Sequence, residues 1–139
     1  MQVAIIDGMG GGIGAQLVAQ LVAALGNRVE IVALGTNAWA TQAMVKAGAS
    51  RGATGENVMK ISAPLADIIA GPIGIVIPNA MMGEISPSIA EAIASAPARK
   101  ILIPVNQGHF EIVGLESRPL QSSIRDVVQK IQELVARGG

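Results

Sequence analysis

The run Asp7-Gly8-Met9-Gly10-Gly11-Gly12-Ile13-Gly14 carries the most pointed chemistry in the chain. Glycine lets a tight turn take positive φ and removes the Cβ that would hold an anion away from the backbone. Where such a turn opens a helix, unpaired N–H groups and the helix dipole both favour a phosphate. The run follows an apolar stretch, Val3 to Ile6, and leads into a periodic apolar segment. That is the strand–turn–helix setting a phosphate loop needs. Gly10-Gly11-Gly12-Ile13-Gly14-Ala15 also fits the G-x-G-x-x-A form of the dinucleotide fingerprint. The bland alternative is a turn that only packs a helix closely on a strand.

The surroundings depart from a plain NAD site. The second apolar run ends in Gly35-Thr36-Asn37, with no carboxylate to hold a ribose 2′-hydroxyl. Small polar residues there suit the 2′-phosphate of NADP, although no Arg stands beside them. Asp7 lies where a phosphate would approach. It either accepts N–H groups within the turn or holds a Mg²⁺ that bridges to phosphate, and the turn cap is the favoured role. Gly8, Gly12, Ile13 and Gly14 have the spacing of the short-chain dehydrogenase loop, which this segment resembles. That reaction needs a Tyr with a nearby Lys, and the chain has no Tyr.

In open α/β sheets, ligands sit beyond the C-terminal ends of the strands. The expected cofactor-binding set is therefore Asp7, Gly8, Met9, Gly10, Gly11, Gly12, Ile13 and Gly14, joined by Gly35, Thr36, Asn37, Gly71, Pro72, Asn79 and Asn106. No catalytic residue can be named. His109 is the only histidine, and it lacks a recognisable Ser or Asp partner. Glu84 could act as a general base, but a partly exposed residue ahead of a helix cap is the better reading. Met81 and Met82 read as apolar lining or core fill. Trp39 would cover a nucleotide, meet another subunit or simply pack.

The elements that must position these residues follow from periodicity. Val3 to Ile6 reads as a strand and Gly12 to Leu25 as a helix, with Ile13, Leu17, Leu21 and Leu25 on one face. Val29 to Leu34 is a second strand, and Thr36 or Asn37 caps a helix running to Ala47. Residues 49–57 read as loop, Val58 to Ile61 as a short third strand, and Asp67 to Ala70 as a strand with Gly71-Pro72 turning out of it. Ser86 caps a helix with Pro87 at its first position and Ile85 stapled to its first turn. Lys100 to Val105 and Phe110 to Leu115 read as strands. Ser117 caps a last helix, with Asp126/Lys130 and Glu133/Arg137 as i,i+4 pairs. Alternating strands and helices predict one α/β domain over residues 1–139. It would be three-layered and Rossmann-like, doubly wound on a mainly parallel sheet of order 3-2-1-4-5 with a further edge strand.

Composition bounds the partners. Half of the 139 residues are hydrophobic and 14% are charged, which suits a sheet covered on both faces. Ten basic residues balance ten acidic ones, and one Trp and one Phe are the only aromatics. This argues against nucleic acid as a partner. With no cysteine, disulfides, thiolate metal sites and cysteine nucleophiles are excluded. The apolar stretch Ile68 to Met82 is broken by Gly71, Pro72, Gly74 and Pro78, short of the ~20 apolar residues of a membrane span. The start lacks the order of a signal peptide, so a cytoplasmic location without membrane partners is expected. High apolar content with few charges points to a homo-oligomer.

Several segments together resemble one bacterial family. They are Ile6 to Gly14, Ala33-Leu34-Gly35-Thr36-Asn37-Ala38, Gly52-Ala53-Thr54-Gly55-Glu56-Asn57, Gly71-Pro72-Ile73-Gly74, Pro78-Asn79-Ala80-Met81-Met82-Gly83-Glu84-Ile85 and Ile101-Leu102-Ile103-Pro104-Val105-Asn106. Nearly the whole chain is similar to the family called domain of unknown function 3842. The resemblance implies a stand-alone domain and supplies no activity, substrate or catalytic residue. It also implies a cysteine just after the position of Asn106 in many members, where this chain has Gly108-His109.

The leading expectation is a nucleotide- or NAD(P)-binding module with a regulatory or accessory role. The alternative is a small oligomeric NADP-dependent oxidoreductase whose active site is shared between subunits. A third is a partner-binding protein whose glycine loop stays empty.

Overall fold

The computed structural model describes residues 1–105 and 109–138. Five parallel strands form one sheet: β1 (Gln2–Asp7), β2 (Glu30–Gly35), β3 (Arg51–Thr54), β4 (Ile68–Pro72) and β5 (Arg99–Ile103). Their order is β3-β2-β1-β4-β5, the doubly wound arrangement expected. The helices between them are α1 (Gly12–Leu25), α2 (Ala38–Lys46), α3 (Glu56–Ser62), α4 (Pro87–Ser95) and α5 (Leu120–Ala136).

Alternation along the strands explains the layers. In β1, Val3 and Ile5 point to one face and Ala4 and Ile6 to the other, and all four are fully buried. The first face packs on Leu17, Val18 and Leu21 of α1, Met44 of α2, and Ile124, Val127 and Ile131 of α5. The second packs on Met59 of α3 and Ile89, Ala90 and Ile93 of α4. Both faces of the central strand are dry, so it reads as an unbroken apolar run.

The chain leaves β1 for β2 on one side of the sheet and crosses to β4 on the other. The reversal opens a crevice between the C-terminal ends of β1 and β4, directly before α1.

Local differences have local reasons. Val58 to Ile61 lies within α3 rather than a strand: Glu56 starts the helix, Lys60 pairs with it at 3.9 Å, and Met59 alone of the helix is buried. The third strand is instead Arg51–Thr54, within the stretch expected as loop. It lies at the sheet edge, paired with β2 and mostly exposed, so no apolar pattern marks it. Gly52 is needed there, because a Cβ would stand 2.6 Å from Val45 Cγ2. Gly71 and Pro72 complete β4 rather than turning out of it.

Phe110 to Leu115 forms no strand. Gly114 at φ +89° breaks the run, and Leu115 N–H donates to Ile112 O at 3.3 Å to close a turn. The expected sixth strand is therefore absent among the described residues. Helix α5 begins after Pro119 rather than at a Ser117 cap. Asp126 pairs with Arg118 instead of Lys130.

Candidate functional site

The glycine loop joins β1 to α1 over the crevice. Asp7 is 5% exposed and both of its carboxylate oxygens are engaged. Oδ1 accepts the N–H of Gly8 and Oδ2 the N–H of Gly14, each at 2.8 Å. The carboxylate spans the loop from first residue to last and caps the turn, the role favoured from sequence. Burial pushes the Asp7 carboxyl up from its ordinary value; the two N–H bonds oppose that rise, and the charge of Glu84 adds to it. Beside Asp7, no described residue marks a Mg²⁺ site: no cluster of three or more metal-ligating side chains occurs among the described residues, and both Asp7 oxygens already serve the backbone.

Accounting for the loop's N–H groups separates those that hold the turn from those left over. Gly11 N–H donates to Gly8 O at 2.9 Å, and Met9 N–H to Glu84 Oε1 at 2.8 Å. Gly8 and Gly14 N–H go to Asp7. The N–H groups of Gly10, Gly12 and Ile13 have no acceptor among the described residues. They border a cavity of about 360 Å³ lined by Asp7 to Ile13, Pro72, Gly74, Ala80, Met81 and Val105.

The glycines divide the same way. A Cβ at Gly14 would stand 2.6 Å from Met44 Sδ and 2.9 Å from Asp7 Cβ, so this residue is glycine for packing. Gly11 needs its φ of +73° and would press on the Ala40 backbone at 2.7 Å. Gly35 and Gly71 are packing residues as well, with a Cβ 2.1 Å from Thr41 Oγ1 and 2.2 Å from Ile6 O respectively. At Gly10 and Gly12 no described residue lies within 4 Å of a Cβ, and neither has a left-handed φ. The fold does not require glycine at these two positions.

Thr36 and Asn37 turn away from the cavity. Glu84 Oε1 accepts from Thr36 Oγ1 at 2.6 Å and from Asn37 Nδ2 at 2.8 Å, besides the Met9 N–H. Asn37 also donates to Met9 O at 2.9 Å and caps α2 through the Ala40 N–H. Partial burial works against the charge of Glu84, but the hydrogen bonds from Thr36, Met9 and Asn37 outweigh it and hold the carboxyl below its ordinary value. Neither Thr36 nor Asn37 is free to take a 2′-phosphate in this arrangement. Asn79 is exposed on the outer turn, and Asn106 lies outside the described residues.

Glu84 is partly exposed ahead of the Ser86 cap, as expected, but its hydrogen bonds to Met9, Thr36 and Asn37 were not legible in the sequence. Its turn, residues 78–84, holds Asn79, Met81 and Met82 at φ of 66°, 57° and 58°. With Met9 at 51°, these are all the left-handed non-glycine residues among those described, and all lie at this edge of the sheet. Each costs about 1–3 kcal/mol, and such costs concentrate at functional sites. Pro78-Asn79 and Gly83, just before Glu84, are the residues that hint at so tight a turn. His109 is exposed, and Trp39 is 81% exposed in the first turn of α2, so it does not pack.

No helix among the described residues is long and apolar enough to cross a membrane. None of the curated proteins matches the chain in sequence. Among solved structures, it is similar to a dodecameric FMN-dependent UbiX-like decarboxylase from Escherichia coli O157:H7. The identity is 14%, covering 98% of this chain and 94% of the other, with a TM-score of 0.46. The family model described as Domain of unknown function (DUF3842) matches residues 2–136, and the chain belongs to that family.

Proposed function

We propose that this protein is a nucleotide-binding Rossmann-like module whose glycine loop receives a phosphate, serving a regulatory or accessory role. One observation carries the reading. Three backbone N–H groups without a protein acceptor border a cavity, next to glycines that the fold itself does not require. The first N–H groups of a helix have no partner within it, and with the helix dipole behind them they suit an anion. A module is favoured over an enzyme because Asp7 is the one titratable side chain lining the cavity among the described residues, and both its oxygens hold the loop.

Calorimetric titration with AMP, ATP, NAD, NADP and FMN, with and without Mg²⁺, tests the reading. Saturable binding of any of these, independent of Mg²⁺, is the expected result. Folded protein that binds none of them at millimolar concentration removes the reading.

A further inference from the structure

The cavity is one-sided. Its walls come from the β1–α1 loop, the end of β4 with the turn after it, and Val105 beyond β5. Nothing from β2 contributes. In a dinucleotide site of this fold the ligand crosses the glycine loop, and its ribose meets the end of the second strand. Here that place is filled. Glu84 reaches from the β4–α4 turn to the glycine loop and to Thr36 and Asn37 at once. The space above Gly8 is closed as well: a Cβ there would meet Thr36 Oγ1 at 2.6 Å, Met81 Sδ at 2.7 Å and Glu84 Oε1 at 3.0 Å.

Donor capacity agrees with this. Asp7 takes the N–H groups of Gly8 and Gly14, and Glu84 takes that of Met9. Among the described residues the loop leaves three N–H donors, at Gly10, Gly12 and Ile13, matching the three terminal oxygens of one phosphate monoester. The rest of the cavity offers Pro72, Gly74, Ala80, Met81 and Val105, an apolar bed on the β4–β5 side.

Resting on the phosphate reading above, we propose that the ligand is a phosphomonoester with a flat or apolar body lying over β4 and β5. Glu84 is the specificity residue that closes the β2 side to dinucleotides.

The test is titration of the whole protein with AMP, phenyl phosphate, inorganic phosphate and NAD⁺. AMP or phenyl phosphate should bind at least tenfold more tightly than NAD⁺, and at least tenfold more tightly than inorganic phosphate. NAD⁺ binding as well as the better monoester overturns the inference while leaving the phosphate reading intact. Inorganic phosphate binding as well as both monoesters overturns the apolar bed. No binding of any of the four removes the phosphate reading itself. In Glu84→Ala, checked for folding by circular dichroism, the preference for AMP over NAD⁺ should shrink at least fivefold. A preference that stays unchanged in folded Glu84→Ala overturns the role given to Glu84.

Discussion

Glu84 Oε1 accepts the backbone N–H of Met9 at 2.8 Å, joining two loops that lie 75 positions apart in the chain. The same oxygen takes Thr36 and Asn37, so one carboxylate ties the glycine loop, the end of β2 and the turn after β4 into a single unit. The consequences are measurable.

Removing the tie should cost stability. Hydrogen bonds to a charged acceptor contribute about 1.5–3 kcal/mol each in favourable cases, and partial exposure lowers that. Glu84→Ala is expected to lose about 2 kcal/mol in urea unfolding at neutral pH. Glu84→Gln keeps an acceptor oxygen and should lose less. Equal losses in the two variants would mean that the charge, not the bridge, matters.

The two carboxylates at the loop should respond to pH with opposite sign. The folded-state value of Glu84 is depressed. Its contribution is present above its unfolded value and is lost as pH falls through the folded one. The folded-state value of Asp7 is raised. Its linkage favours the fold below its unfolded value, and that benefit disappears as pH rises through the folded one. Unfolding free energies from pH 3 to 7 for wild type, Glu84→Gln and Asp7→Asn isolate each contribution by difference. The wild-type advantage over Glu84→Gln should grow with pH, whereas relative to Asp7→Asn it should decline.

Asp7→Asn also tests the turn cap directly. An amide cannot accept from both Gly8 and Gly14, so one buried N–H loses its partner, at about 1–3 kcal/mol. Its effect on phosphate affinity should not depend on Mg²⁺. A loss of affinity seen only with Mg²⁺ present would favour the metal role.

The fold was largely legible because β1, β2 and α1 carry periods that only one face or both faces of a sheet can satisfy. Ser86-Pro87 announced α4 by cap chemistry alone, and Ser86 Oγ does accept the Ile89 N–H at 3.2 Å. The edge strand β3 was invisible because an exposed edge needs no apolar pattern. The candidate loop was legible through its glycines. Its closure was not, since the partner of Met9 lies 75 residues away and a carboxylate before a helix cap looks like ordinary surface. Nor could sequence separate Gly12 from Gly14: the difference lies in Met44, which reaches Gly14 from another helix.

Self-association remains a prediction of its own. Phe110, Ile112, Val113 and Leu115 all stand exposed in the segment after β5, which is an edge strand of the sheet. Apolar clusters of this kind are normally covered. Sedimentation at micromolar concentration should show a homo-oligomer, and Val113→Lys, at a site 98% exposed, should weaken it. A wild-type monomer would contradict this.

Gly12→Val and Gly14→Ala divide binding from packing. At Gly14 the added methyl must displace Met44 or Asp7, and overpacking of that kind costs about 1–3 kcal/mol. At Gly12 the new side chain enters open space, so the fold should tolerate it while the phosphate position is lost. The most direct measurement is therefore calorimetric titration of AMP into wild type and Gly12→Val, with urea unfolding of both. The account predicts saturable binding by the wild type, at least tenfold weaker binding by the variant, and nearly equal unfolding free energies. Equal affinity in the two proteins, or no binding to folded wild type at millimolar AMP, would contradict it.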